Sequence, residues 1–203
     1  MIHPNIPLQQ KGAYHDTVSM YCSDGTDTAM LIYDRVVARL MSVNKWSSLS
    51  DKIKAGFQLI DPKTGLPTER LEIGFFLRID VPGIGNPSGN GYDWTRIIDI
   101  QNGLDVRECP FFALSVRPCP APDATDKKVA HFYTGESTNT FIVRRIGDCI
   151  YSEVHGRNEI ENISDVPLLD TVRNKAVAIG GKMGIANLNW LGFTKALLEP
   201  SAQ

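Results

Sequence analysis

Residues 71–81, Leu-Glu-Ile-Gly-Phe-Phe-Leu-Arg-Ile-Asp-Val, carry an apolar side chain at every odd position. Glu72, Gly74, Arg78 and Asp80 hold most of the even positions, and Phe76 is the exception. Successive side chains of a strand point to opposite faces, so this alternation predicts a strand with one buried face and one wetter face. Such a strand needs neighbours to pair with, and the rest of the chain supplies them.

Residues 53–60 alternate in the same way, with Ile53, Ala55, Phe57 and Leu59 between Lys52, Lys54, Gly56 and Gln58. Asp61-Pro62-Lys63-Thr64-Gly65 then fits a turn with proline at its second position. Beyond a glycine-rich loop at 82–91, residues 92–100 place Tyr92, Trp94, Ile98 and Ile100 on one face, with Arg96 among them. Residues 111–117 do the same with Phe112, Leu114 and Val116, and residues 129–134 give a weaker strand signal. Between these two stretches, 117–123 holds three prolines, which cannot donate to a ladder; it is a surface loop or a seam between two parts.

Residues 140–155 read as a hairpin. Gly147-Asp148 forms a two-residue turn, and the glycine permits the positive φ that such turns require. The turn fixes the register: 146 opposes 149, 144 opposes 151, 143 opposes 152, 141 opposes 154, and 140 opposes 155. Opposed residues share a face. Phe141, Val143, Ile150 and Val154 therefore face the core, while Thr140, Ile142, Arg144, Tyr151, Glu153 and His155 face away. Arg144 and Glu153 lie diagonally near each other on that outer side.

Helical signals stand at the two ends. From Asp24 or Thr26, either able to cap, Met30, Tyr33, Val36, Val37, Leu40 and Met41 recur at three- and four-residue spacing over 26–42. Leu168, Leu169, Val172, Ala176 and Ile179 form a second stripe, closed by Gly180-Gly181. Residues 185–198 form a third, with Leu188, Trp190, Leu191, Phe193, Leu197 and Leu198. Residues 1–25 read as an extended arm.

The expected fold class follows: one α+β domain over 1–203, with an antiparallel β core of six or seven strands over 53–155. An N-terminal helix and C-terminal helices over 165–198 pack on it. Strands in an unbroken run argue against a doubly wound parallel sheet. The core is either a twisted sheet or a partly closed barrel; the strand and loop pattern over 57–117 suggests a small SH3-like barrel. A split near 117–123 is the alternative.

Composition limits the functional classes. The 203 residues include 21 basic and 23 acidic ones, a net charge of -2, with no run of like sign. The electrostatic footprint of a nucleic-acid or anionic-membrane binder is missing. No apolar run approaches the roughly 18 residues that span a bilayer. The start of the chain lacks the basic and apolar regions of a secretory signal, which points to the cytoplasm. Cys22, Cys109, Cys119 and Cys149 show no metal-ligand spacing and are expected to be reduced thiols. Neither a metal nor a cofactor is expected.

The glycine-rich loop follows a strand, but the next segment reads as a strand and Pro87 interrupts the spacing. The helix that a dinucleotide site needs is therefore absent. No Gly-x-Ser-x-Gly elbow surrounds Ser137. The densest reactive group is His155, Arg157, Asn158 and Glu159 at the end of the hairpin. A histidine, a guanidinium and a carboxylate there can bind a small anion or move a proton. Charges paired with each other and with Arg144 are the plainer account. Arg96, on an apolar face, needs a partner or a bound anion. No complete catalytic constellation is present, so the first reading is a non-catalytic cytoplasmic module that binds a protein partner or a second copy through the exposed hairpin face. The alternative is a small-ligand binder or small enzyme whose pocket His155, Arg157 and Glu159 line, with Arg96.

Overall fold

The computed structural model describes residues 3–82, 85–125, 127–162 and 189–200. Seven strands form one antiparallel sheet: β1 Ala13–Cys22, β2 Gly56–Ile60, β3 Phe76–Asp80, β4 Asp93–Leu104, β5 Pro110–Pro118, β6 Thr138–Ile146 and β7 Cys149–Glu159. Their order is β1-β7-β6-β5-β4-β3-β2. The sheet is α+β in its surroundings, as expected, but it is not closed. β1 and β2 are its two edges, so the barrel alternative is set aside. Helix α1, Thr26–Met41, and helix α2, Trp190–Leu198, lie on one side of it, with a 3-10 segment at Val43–Leu49. The stripe expected at 165–179 lies outside the described residues, as do Gly83 and Ile84 of the glycine-rich loop.

The hairpin register is the one the turn dictates, from Ile146 opposite Cys149 to Thr140 opposite His155. Gly147 takes a φ of 58° at the turn. Phe141, Val143, Ile150 and Val154 face the helices and join Phe57, Leu77, Ile79, Leu114 and Val116 in the main core. The strand expected over 71–81 is shorter, since only Phe76–Asp80 pairs, and Ile73 is exposed.

β1 stands in what the sequence reads as an extended arm. It is an edge strand with weak alternation, and it is held along β7 from Ala13 opposite Glu159 to Cys22 opposite Cys149. The 129–134 strand does not form; a bridge between Tyr133 and Glu161 is what remains there. In β4 a bulge between Ile97 and Asp99 changes the phase. Ile97 and Ile100 therefore face the helices, while Trp94 faces outward beneath Ala121 and Ala130 of the proline-rich loop. In α1 the buried line is Ala29, Ile32, Val36 and Leu40, and Met30 and Met41 point away from the core.

Cys22 and Cys149 form a disulfide, which corrects the expectation of four reduced thiols; Cys109 and Cys119 are free. The pair is cross-strand, because the β1–β7 register sets Cys22 directly opposite Cys149. It ties the ends of a segment with a sequence separation of 127. Its removal by Cys149→Ser should cost about 2–4 kcal/mol, chiefly by freeing the unfolded chain. Denaturant unfolding checks this. A reductant should lower the midpoint of the unmodified protein and leave that of the variant unchanged.

Candidate functional site

The expected site residues occupy both faces of the sheet. On the outer face, Glu153 is 3% exposed and serves two partners. Arg144 Nε donates to its Oε1 at 2.5 Å, and His155 Nε2 faces its Oε2 at 2.8 Å. His155 Nδ1 meets Asp16 Oδ1 at 2.5 Å. Arg157 donates to Asp16 at 2.7 Å and to the backbone carbonyls of Gly156 and His15. The result is a chain in which carboxylates alternate with nitrogen-bearing side chains, Arg144–Glu153–His155–Asp16–Arg157, across β6, β7 and β1. Burial would raise the Glu153 carboxyl, but the hydrogen bond from His155 and the Arg144 guanidinium outweigh it and hold the group below the usual carboxylate range. Asp16 is lowered in the same way by His155 and Arg157 against the effect of burial.

This face is not open. The N-terminal arm crosses it, with Ile6 packed on Phe111, Ala113 and Ile142, and His3 edge-on to Phe111 at 4.5 Å. Asn158, at a φ of 54°, accepts from the backbone N–H groups of Gln10 and Lys11 and so anchors the arm. The arm thus covers the Ile142 part of the hairpin surface, while Arg144 and Tyr151 stay part-exposed. Arg96 is exposed, not buried: it donates to the Gly74 carbonyl at 3.0 Å and lies over Phe76.

Glu159 leaves that company. The positive φ at Asn158 and the irregular register between Ala13 and His15 break the alternation. The Glu159 side chain turns to the helix-facing side, where it is 7% exposed. There His15 Nδ1 meets its Oε1 at 2.9 Å, and the Tyr133 hydroxyl donates to it. Burial and this carboxylate push the Tyr133 phenol well above its ordinary range. Gly156 makes the pair possible: a Cβ built there would land on Glu159 Oε1 and His15 Nδ1. The His15 ring lies parallel to Trp190, at the start of α2, with centroids 6.4 Å apart and planes 6° apart.

His15 begins a continuous rung. It opposes Gly156, which opposes Asn139, then Val116, then Ile97 on β4. The rung spans four strand spacings, about 19 Å. Its β1–β6 part is polar and its β5–β4 part is apolar. Buried atoms of sheet side chains on this side that have no protein partner among the described residues include His15 Nε2, Ser152 Oγ, Asn139 Oδ1 and, one step beyond the rung on β4, Thr95 Oγ1. Asp93, one further step out, is buried with a hydrogen bond from Asn86 Nδ2 at 2.8 Å, and burial pushes its carboxyl up to about 6.

The sequence groups Glu159 with His155 and Arg157 as candidates, whereas the structure sets it against His15. His15 sits 144 residues away on an edge strand without clear alternation. Only the β1–β7 register brings the two together. The one signal available was Gly156 inside an otherwise substituted strand, which marks close approach of other groups. Among the described residues no group of three or more His, Cys, Asp or Glu is placed to hold a metal ion, and no helix is long and apolar enough to cross a membrane.

No protein-family model matches the sequence, and no curated protein matches it. Among solved structures, a hypothetical protein from Helicobacter pylori is similar with a TM-score of 0.50 and 10% identity, over 91% of this chain and 86% of that one. A protein from Arthrobacter aurescens is similar with a TM-score of 0.42 and 10% identity, over 97% and 94% of the two chains. A START superfamily protein from Mycobacterium smegmatis gives 0.34 and 12%, over 89% and 99%. At 10% identity the likeness to the Helicobacter pylori protein concerns the fold alone.

Proposed function

We propose that this protein binds a small amphipathic molecule between the helix-facing side of the sheet and α2. The observation that carries the reading is the cluster of unpartnered buried atoms, His15 Nε2, Asn139 Oδ1 and Thr95 Oγ1, on the same side as the Glu159–His15 pair. A buried polar atom without a partner costs about 1–3 kcal/mol, and native folds keep few of them. Ser152 Oγ joins them on the helix-facing side of one sheet, and a molecule with matching donors and acceptors would relieve those it reaches. Its polar end would meet His15 and Asn139. Its apolar body would lie over Val116 and Ile97, with Trp190 beside the polar end.

The outer-face charge chain supports no comparable reading. Both ring nitrogens of His155 face carboxylates, and Arg157 meets Asp16, two backbone oxygens and the Tyr14 ring. A thermal-shift screen of small organic molecules separates the two faces. A ligand at 100 times its dissociation constant adds about 2.7 kcal/mol, which is several degrees for a chain of this size. The stabilisation should disappear in His15→Ala and persist in Arg157→Ala. Hits that disappear only in Arg157→Ala would move the site to the outer face and defeat the proposal.

A further inference from the structure

The pair beneath Trp190 has a property that binding alone does not call for. Glu159 offers Oε1 to His15 Nδ1 at 2.9 Å and also accepts from Tyr133. An ionised carboxylate only accepts, so in the neutral imidazole the proton sits on Nδ1 and the lone pair on Nε2. Nε2 is buried and has no partner among the described residues. The other histidines lack this combination. His155 has a carboxylate on each nitrogen. In His131, Nδ1 accepts the Tyr133 backbone N–H at 3.0 Å, and burial drives the ring down to about 3. In His3, Nδ1 accepts from the Asn5 backbone, and no carboxylate holds the ring. His15 alone pairs a carboxylate-oriented ring with an unoccupied second nitrogen in an aromatic setting.

Resting on the helix-side site proposed above, we infer that this site transfers a proton, with His15 Nε2 as the base toward an acidified C–H of a flat, partly apolar ligand. The C–H bond breaks and its proton goes to Nε2. The electron pair moves into an adjoining electron-withdrawing group, such as a carbonyl. The imidazolium that forms is stabilised by Glu159, which the Tyr133 hydroxyl keeps in place. Return of the proton to another atom completes an isomerisation, and departure of a leaving group completes an elimination. Both balance without an oxidant or reductant. His15 would touch the ligand, while Glu159 and Tyr133 are positioning residues.

A chromogenic probe tests this without knowledge of the natural ligand. In 5-nitrobenzisoxazole a base removes the ring C–H proton, the electron pair forms a nitrile, the N–O bond breaks, and a coloured phenolate leaves. The full chain should accelerate this reaction saturably. His15→Ala should lower the rate by about 100-fold or more, and added imidazole should restore part of it in that variant alone. Glu159→Gln should slow the reaction while leaving probe binding measurable. His155→Gln, on the opposite face, should change nothing. Binding is followed separately by quenching of Trp190 emission, assigned with Trp190→Phe. Quenching without a rate above that of His15→Ala overturns proton transfer and leaves the binding reading standing. Neither quenching nor acceleration overturns both.

Discussion

Replacing Glu153 by alanine should destabilise the protein by about 3–5 kcal/mol, because it leaves the Arg144 guanidinium without its carboxylate and His155 Nε2 without its partner. Arg144 and His155 both meet Glu153, whose side chain is 3% exposed. Their remaining neighbours are Tyr151, over which the Arg144 guanidinium lies at 5.1 Å, and Asp16. Glu153→Gln keeps the shape and removes the charge, so it should cost less than alanine but remain clearly destabilising.

The pH dependence supplies a second check with a definite sign. The Glu153 carboxyl is held below its ordinary value of 4.5 in the folded protein. A lowered carboxylate contributes stability that is fully present above the unfolded value and lost as pH falls through the folded one. The gap in stability between the unmodified protein and Glu153→Gln should therefore be widest above about pH 4.5 and shrink on acidification. Asp93 acts in the opposite direction, since its carboxyl is raised to about 6. Comparing the two proteins at each pH cancels that contribution. A gap that does not change between pH 7 and pH 3 would show that Glu153 carries no linked charge.

The second large effect is expected at Trp46. This side chain is fully buried in the 3-10 segment after α1 and touches three separate elements. Its ring lies 5.2 Å from Phe57 on β2, 4.9 Å from Phe141 on β6 and 4.9 Å from Phe193 on α2. Its indole N–H donates to the Leu40 carbonyl at 3.0 Å, which closes the end of α1. Trp46→Ala should cost about 3–5 kcal/mol through the cavity it leaves. Equilibrium denaturation reads this directly. Because α2 packs on Trp46, the same variant should also weaken ligand binding at Trp190, three residues from Phe193 along one helical turn. Trp46→Phe refills most of the volume and should recover most of the stability.

The hairpin was legible to the residue. Gly147-Asp148 admits one register, and that register decides which of ten side chains face the helices. The alternation of β3 was legible only where the strand has neighbours, which is why Ile73 escapes the core. The phase of β4 was misread because a bulge after Ile97 adds a residue that no local pattern announces. The edge strand β1 was missed for a related reason. With His15, Thr17 and Ser19 on its inner side and Tyr14, Val18 and Met20 on its outer side, apolar content favours the face that is exposed, so hydrophobic patterning misdirects. The site inherits both difficulties. It is formed by an edge strand and by a residue that a positive φ turns to the other face. The outer charge chain, by contrast, obeys simple alternation, and that is why it stood out in the sequence.

The central claim is that a ligand is received on the helix-facing side, at His15. The most direct measurement follows the imidazole ring signals of the four histidines by NMR during titration with a ligand that stabilises the protein. The His15 ring signals should move and saturate with the ligand, while those of His155, on the opposite face, stay in place. Movement at His155 with His15 unchanged would put the ligand on the outer face and contradict the account.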